Sequence, residues 1–264
     1  MAHCCLQNTA YKMFNQLFRR IHDKIGHRHC YICHQFSELL VCQYCSKELV
    51  FEDFHLRREL DTVSTTVNTN NLLYRSQITK NLQPPAYSGL YALSSYTWPV
   101  DKMIMDLKFS GKTMCANILA AWFAQKVGIA SFDPIDLFIP IPLSNMRFIT
   151  RQYNQSALLA QHLSKEFDIP VLNALSRKKW TSAQATLSRQ GRFENVANAF
   201  SISSDGVRYL ADNSLLKVNH VALIDDVLTT GSTLNAACDA LLQHTPDLQI
   251  SVIVMALGLT KEAT

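Results

Sequence analysis

From residue 86 onward, short apolar runs alternate with stretches of helical spacing. Ala86 to Leu93 interleaves aromatic and small residues and predicts a strand. Trp98-Pro99 opens a helix whose inward stripe is Val100, Met103, Ile104 and Leu107, with Gly111 placed to end it. Lys108 and Lys112, near that end, suit the negative pole of the helix dipole. Helical spacing returns from Met114 to Val127 and from Asn154 to Phe167. Between them, Asp136 to Ser144 reads as an apolar strand that Pro140 and Pro142 force to stop and turn. Two further apolar strands, Val221 to Ile224 and Ile250 to Leu257, flank a helical pattern from Leu234 to Leu242. Strands alternating with helices of about a dozen residues predict an α/β fold with an open, mostly parallel sheet. Ligands of such sheets bind beyond the carboxyl ends of the strands.

The first 85 residues follow another pattern. Residues 1–26 predict an amphipathic helix, with Phe14, Leu17, Phe18, Ile21 and Ile25 on one stripe and Arg19, Arg20 and Lys24 elsewhere. Residues 27–50 hold two Cys-x-x-Cys knuckles, Cys30/Cys33 and Cys42/Cys45. Four thiolates at that spacing suit tetrahedral Zn²⁺, and so short a segment needs a metal to supply its folding energy. A disulfide pair is the alternative, disfavoured in a reducing compartment. His27, His29 and His34 are read as surface residues, and the adjacent Cys4 and Cys5 as incidental. Residues 51–85, with a polar run from Asp61 to Asn71 and then Pro84-Pro85, read as a linker to a main domain of residues 86–264.

Composition narrows the class without naming a function. Hydrophobic residues make up 48% and charged residues 17% of the 264, as in a globular protein. No stretch reaches the roughly 18 uninterrupted apolar residues of a membrane span; Ile118 to Ala130 comes nearest, broken by Gln125 and Lys126. Met1 to Arg20 lacks the apolar region of a secretory signal, so the cytoplasm is the expected location. The formal charge of +4 conceals an uneven distribution, since residues 147–192 carry eight basic side chains against two acidic ones. That segment is either a solvated face or a site for phosphates, whether of a small polyphosphate or a nucleic-acid backbone.

The most specific chemistry lies at the end of the Val221 strand. Asp225-Asp226 is followed by Val227, Leu228, Thr229, Thr230, Gly231, Ser232 and Thr233, then by the next helical pattern. Such a turn aims backbone N–H groups and the positive end of a helix dipole at one point, which suits a phosphate. Gly231 permits close backbone approach, and the hydroxyls add donors. The two carboxylates would repel phosphate directly, so they are expected to accept hydrogen bonds from neighbouring sugar hydroxyls. These thirteen residues, Val221 to Thr233, resemble the phosphoribosyl-pyrophosphate (PRPP) signature of type I phosphoribosyltransferases. In that reading the turn from Val227 to Thr233 holds the 5′-phosphate. The loop from Pro140 to Arg151, with Pro142, Leu143, Ser144, Arg147 and Arg151, faces the pyrophosphate.

Taken together, the blocks resemble the competence-protein ComF (ComFC) family, which pairs a four-cysteine zinc module with a type I phosphoribosyltransferase-like domain. The blocks are the four cysteines, Lys108-Phe109-Ser110-Gly111, Pro140 to Ser144 leading to Arg151-Gln152-Tyr153-Asn154-Gln155, and the Asp225 loop. Gln184, Leu187, Arg192, Asn195 and Ala199-Phe200 fall between the last two. Gln152 departs from the pattern, where the family usually has glycine.

The resemblance implies a bacterial cytoplasmic protein of natural transformation, working at the inner face of the membrane beside the DNA-uptake channel. It implies PRPP bound with Mg²⁺, incoming single-stranded DNA, and helicase or recombination partners. Candidate DNA contacts are Arg177, Lys178, Lys179, Trp180, Arg189 and Arg192, with Tyr153 and Phe193 also available for stacking. An active transferase, passing 5-phosphoribose from PRPP to an amine or base, is the second reading. Residues 176–192 are then either a closing loop or an ordinary surface loop.

Overall fold

Four strands with almost wholly buried side chains form the centre of the computed structural model, which describes residues 29–47, 54–57, 85–127, 134–143, 149, 151–177, 199–211 and 218–258. The chain divides into two units, Met1–Val50 and Phe51–Thr264. In the first, the described elements are a β-bridge between His29 and Phe36 and a short helix α1, Gln43–Lys47. The amphipathic helix expected over residues 1–26 lies outside the described residues.

In the second unit the strands are β1 (Phe54–Arg57), β2 (Gly89–Ser95), β3 (Leu137–Pro140), β4 (Leu175–Arg177), β5 (Phe200–Ile202), β6 (His220–Leu228) and β7 (Gln249–Leu257). The helices are α2 (Val100–Phe109), α3 (Met114–Val127), α4 (Gln155–Phe167), α5 (Ser204–Ala211) and α6 (Ser232–Leu242). The main sheet has the order β1-β2-β7-β6-β3, with β2, β7, β6 and β3 parallel and β1 antiparallel on the edge. Burial on both faces explains why the parallel strands read as continuous apolar runs. The stretch 51–85, expected to be a linker, thus contributes an edge strand.

The order of crossovers decides where the sheet opens. The connection from β2 to β3 carries α2 and α3. Next, α4 leads from β3 to Val171, which bridges in parallel to Phe138 on the free side of β3. Both connections advance across the sheet in one direction, so right-handed crossovers place α2, α3 and α4 on one face. Phe123, Phe138 and Phe167 meet there edge to face, at centroid separations of 6.3 and 6.5 Å. Helix α6 runs back from β6 to β7 and packs on the opposite face. Leu234, Ala237, Cys238 and Leu241 bury there against Leu137, Ile139, Leu223 and Val252. The hairpin of β4 and β5 joins that layer. Connections from the adjacent strands β3 and β6 therefore leave toward opposite faces, and their carboxyl ends bound a crevice at a topological switch point.

Candidate functional site

The four cysteines of the first unit converge. The Sγ atoms of Cys30, Cys33, Cys42 and Cys45 all lie within 4.8 Å of one another, and Cys33 and Cys42 are 3.8 Å apart. Four sulfurs each about 2.3 Å from one centre would sit about 3.8 Å apart, so the set fits a tetrahedral zinc ion. All four thiols are free. Backbone N–H groups of Ile32 and Cys42 donate to the Cys30 sulfur, and that of Cys45 donates to Cys42. His34 takes a left-handed backbone at φ 58°, closing the first knuckle.

In the second unit, the crevice between β3 and β6 is assembled from three elements. Ile141 donates its N–H to Ile224, continuing the β3–β6 ladder one residue past β3. Asn154 then ties the start of α4 to that point, donating from Nδ2 to the Ile141 carbonyl and capping Ser156 through Oδ1. The acid pair lies on β6 beside this junction. Asp225 accepts hydrogen bonds from Ser156 Oγ and from the Asp226 backbone, both at 2.9 Å. Asp226 is 4% exposed and forms an ion pair with Lys108 of α2 at 2.9 Å. Burial, and next the charge of Asp226, push the Asp225 carboxyl up to about 7, while the backbone N–H, Ser156 and Lys108 oppose that rise. One acid thus already holds a cation and its neighbour resists ionisation, as expected where two carboxylates share a desolvated site.

The strand runs further than its sequence suggests. Val227 and Leu228 continue β6, pairing with Ala256 and Leu257, so they belong to the sheet and the expected loop is shorter. Leu228 is buried in the core at 2% exposure. The turn proper is Thr229, Thr230 and Gly231, with Gly231 at φ 75° where a side chain would be strained. Gly258, just after β7, approaches so closely that a Cβ there would lie 2.8 Å from Thr229 Cγ2. Helix α6 starts at Ser232 with no side chain capping it, which leaves its first N–H groups available to an anion. Thr230 Oγ1 and Ser232 Oγ lie 3.0 Å apart beside them, and Thr233 is half-buried in the first turn.

On the other side of the crevice, Pro142 and Leu143 are half-buried, whereas Ser144 and Arg147 lie outside the described residues. Arg151 and Tyr153 line a cleft of about 730 Å³ together with Met105, Lys108, Phe109, Gly111 and Gln152. The Arg151 guanidinium sits 4.9 Å from the centroid of Phe109, and its Nη1 is buried without a hydrogen-bond partner among the described residues. The Tyr153 hydroxyl donates to the Leu107 carbonyl, anchoring this turn to the last turn of α2. Gln152 adopts φ 63°, the conformation that glycine takes freely. The turn is thus kept despite the substitution, at the cost of left-handed strain.

Three contacts were not legible in the sequence. Lys108 serves Asp226 rather than its own helix end, and Lys112 pairs with Asp106 at 3.0 Å. Ser156 carried no signal at all. Of the candidate DNA contacts, Arg177 lies on β4 with its guanidinium 5.3 Å from the Phe200 ring centroid. Lys178, Lys179, Trp180, Arg189 and Arg192 lie outside the described residues.

Comparison with known proteins assigns this architecture. Residues 154–263, which include the acid pair and the α6 turn, match the phosphoribosyl transferase domain. The chain is 35% identical to competence protein F of Haemophilus influenzae over 158 residues, 58% of this chain and 66% of that protein. It is 31% identical to DNA utilization protein YhgH of Salmonella typhi over 167 residues, 61% of this chain and 69% of that one. Competence protein ComFC of Bacillus subtilis is 27% identical over 149 residues, 56% of each. No described helix is long and apolar enough to cross a membrane. With its four-cysteine cluster and its phosphoribosyl transferase domain on a four-strand parallel sheet, the chain belongs to the ComF/YhgH competence protein family.

Proposed function

We propose that this chain binds PRPP with Mg²⁺ in the switch-point crevice and serves DNA uptake by handling incoming single-stranded DNA in the cytoplasm. The observation that carries the reading is the meeting, at one crevice, of an acid pair and an uncapped helix N-terminus. The α6 turn supplies N–H and hydroxyl donors for the 5′-phosphate. Asp225 and Asp226 accept from the ribose hydroxyls, and Arg151 faces the pyrophosphate. The Asp226–Lys108 pair marks that carboxylate as a seat for positive charge. Bound beside the acid pair, Mg²⁺ would supply charge neutralisation for the pyrophosphate, as a hard cation suits oxygen ligands. In the first unit the four cysteines would hold Zn²⁺ as a structural ion.

The link to DNA uptake comes from the names borne by the relatives, competence protein and DNA utilization protein. The test is complementation of a naturally transformable host lacking its own family member. Wild-type protein should restore transformants, and the variant carrying Asp225→Asn and Asp226→Asn should not. Equal rescue by both would overturn the assignment of the crevice.

One observation favours the second reading, a true transferase: the cleft beside the crevice shares Lys108 with it and has room for an acceptor. The C1–O bond to pyrophosphate would break with the electron pair leaving on pyrophosphate. A C1–N bond would form, and the acceptor's proton would pass to solvent. Catalysis would then be mostly positioning and charge stabilisation. Pyrophosphate release dependent on an added base or amine decides for this reading, and none with any acceptor decides against it.

A further inference from the structure

We propose that Lys108 is a two-position side chain. It neutralises Asp226 in the free protein and crosses to the pyrophosphate beside Arg151 when PRPP enters, which releases Asp226 to the ribose hydroxyls. The inference rests on the reading of the crevice as a PRPP site, and adds how that site holds its charges before the ligand arrives.

Asp226 is almost wholly buried, and a carboxylate stripped of water needs an opposite charge beside it. Lys108 Nζ supplies that charge, 2.9 Å from Oδ2. Its field also reaches Asp225, whose ionisation it favours. The pair is close but not directed, for Oδ2 receives no aligned hydrogen bond among the described residues. A contact held by charge alone leaves that oxygen an acceptor still in want of a donor. A ribose hydroxyl is such a donor, provided the ammonium has another anion to go to. The Lys108 side chain is 19% exposed against 6% for Asp226, so the lysine is the partner with room to leave.

The second position lies on the other side of the same residue. Lys108 also lines the cleft that holds Arg151, in which no described residue is acidic. Two cations bordering one cleft repel each other, which favours the Asp226 position while the site is empty of ligand. A pyrophosphate reverses that balance because it attracts both, and Arg151 Nη1 is buried without a partner among the described residues. The backbone has no part in the move. Leu107, which is buried, accepts from the Tyr153 hydroxyl, and Ser110 donates its N–H to Asp106 at 3.0 Å, so the end of α2 is pinned on both sides of Lys108. Motion is thereby confined to the flexible four-carbon stem and its rotatable ammonium.

The test titrates full-length protein calorimetrically in the presence of Mg²⁺, with PRPP and ribose 5-phosphate as separate probes. Ribose 5-phosphate must displace Lys108 from Asp226 yet offers it no pyrophosphate in exchange. Lys108→Met should therefore weaken PRPP binding about tenfold or more, the loss of one charge-assisted hydrogen bond. The same variant should bind ribose 5-phosphate about threefold or more tighter than wild type does, because a competing cation is gone. A crystal structure of wild-type protein with PRPP makes the test independent of how that variant folds. Lys108 Nζ should lie about 2.8 Å from a phosphate oxygen and more than about 4 Å from Asp226. Parallel changes in the two affinities, no gain with ribose 5-phosphate, or a Lys108–Asp226 pair unbroken in the complex would each overturn the exchange. Absence of PRPP heat with wild-type protein is a separate failure, which removes the crevice reading and the exchange with it.

Discussion

The two ends of the same parallel sheet treat polar groups in opposite ways. At the amino ends of the strands, Asp136, His220 and Ser251 are answered by the protein itself. Asp136 accepts from the backbone of Asn219 and His220, at 2.8 and 3.0 Å. His220, 3% exposed, bonds through Nδ1 to the Pro134 carbonyl and through Nε2 to Ser251 Oγ. A carbonyl only accepts, so Nδ1 is the donor to Pro134. At the carboxyl ends, two acids stand adjacent with a lysine on Asp226 alone, an arginine nitrogen is buried without a partner among the described residues, and the α6 terminus has no side-chain cap. A closed network stabilises the fold, whereas groups left in mutual tension are what a ligand can relieve. The contrast separates structure from function within one set of strands.

Breaking the closed end should give the largest effect on stability. His220→Ala removes two hydrogen bonds and leaves a cavity, so it should cost about 2–4 kcal/mol in urea unfolding. PRPP affinity should be unchanged, because the histidine sits at the other end of β6 from the acid pair. A large loss of affinity with little loss of stability would erase the distinction between the ends.

The open end should respond in the opposite sense. Asp225 is raised from its ordinary 3.8 to about 7, mainly by burial. The folded protein therefore holds a proton that the unfolded chain releases above about pH 4. Stability from this group is fully present below that pH and is lost as pH rises through about 7. Asp225→Asn, neutral at every pH, should stabilise the protein at pH 8 by roughly 1 kcal/mol and have little effect near pH 4. Affinity for Mg²⁺ and PRPP in wild type should rise from pH 6 to 8 as Asp225 ionises, and the variant should lose that component. A variant less stable at pH 8 would show the site to be relaxed rather than in tension.

The smallest effect belongs to Gln152. Left-handed backbone costs a non-glycine residue about 1–2 kcal/mol, and glycine's extra chain entropy returns part of that. Gln152→Gly should therefore stabilise by about 0.5 kcal/mol in calorimetry. Destabilisation would mean that the glutamine side chain holds the cleft together.

Long apolar elements were legible from pattern alone, and short or long-range features were not. Helix α3 spans Met114–Val127 as its spacing indicates, and α4 starts after its Asn154 cap. Strands β1, β4 and β5 have three or four residues, too few for a periodic signal, and β1 forms only because β2 offers an edge. Asp225 and Asp226 look like the end of a strand, but Val227 and Leu228 continue it because β7 is there to pair with them. The acid pair and the threonine turn announced themselves by spacing. Their partners did not, since Lys108 and Ser156 reach them only through the order in which the strands are laid down.

Isothermal titration of PRPP, with and without Mg²⁺, bears most directly on the claim that the switch-point crevice is a ribose-phosphate site. Wild-type protein should bind one PRPP in the presence of Mg²⁺ and more weakly without it. The variant with Asp225→Asn and Asp226→Asn should lose about a hundredfold or more in affinity, from two charge-assisted hydrogen bonds removed together. No PRPP heat in wild type under either condition, or equal heats in wild type and the double variant, would contradict the account.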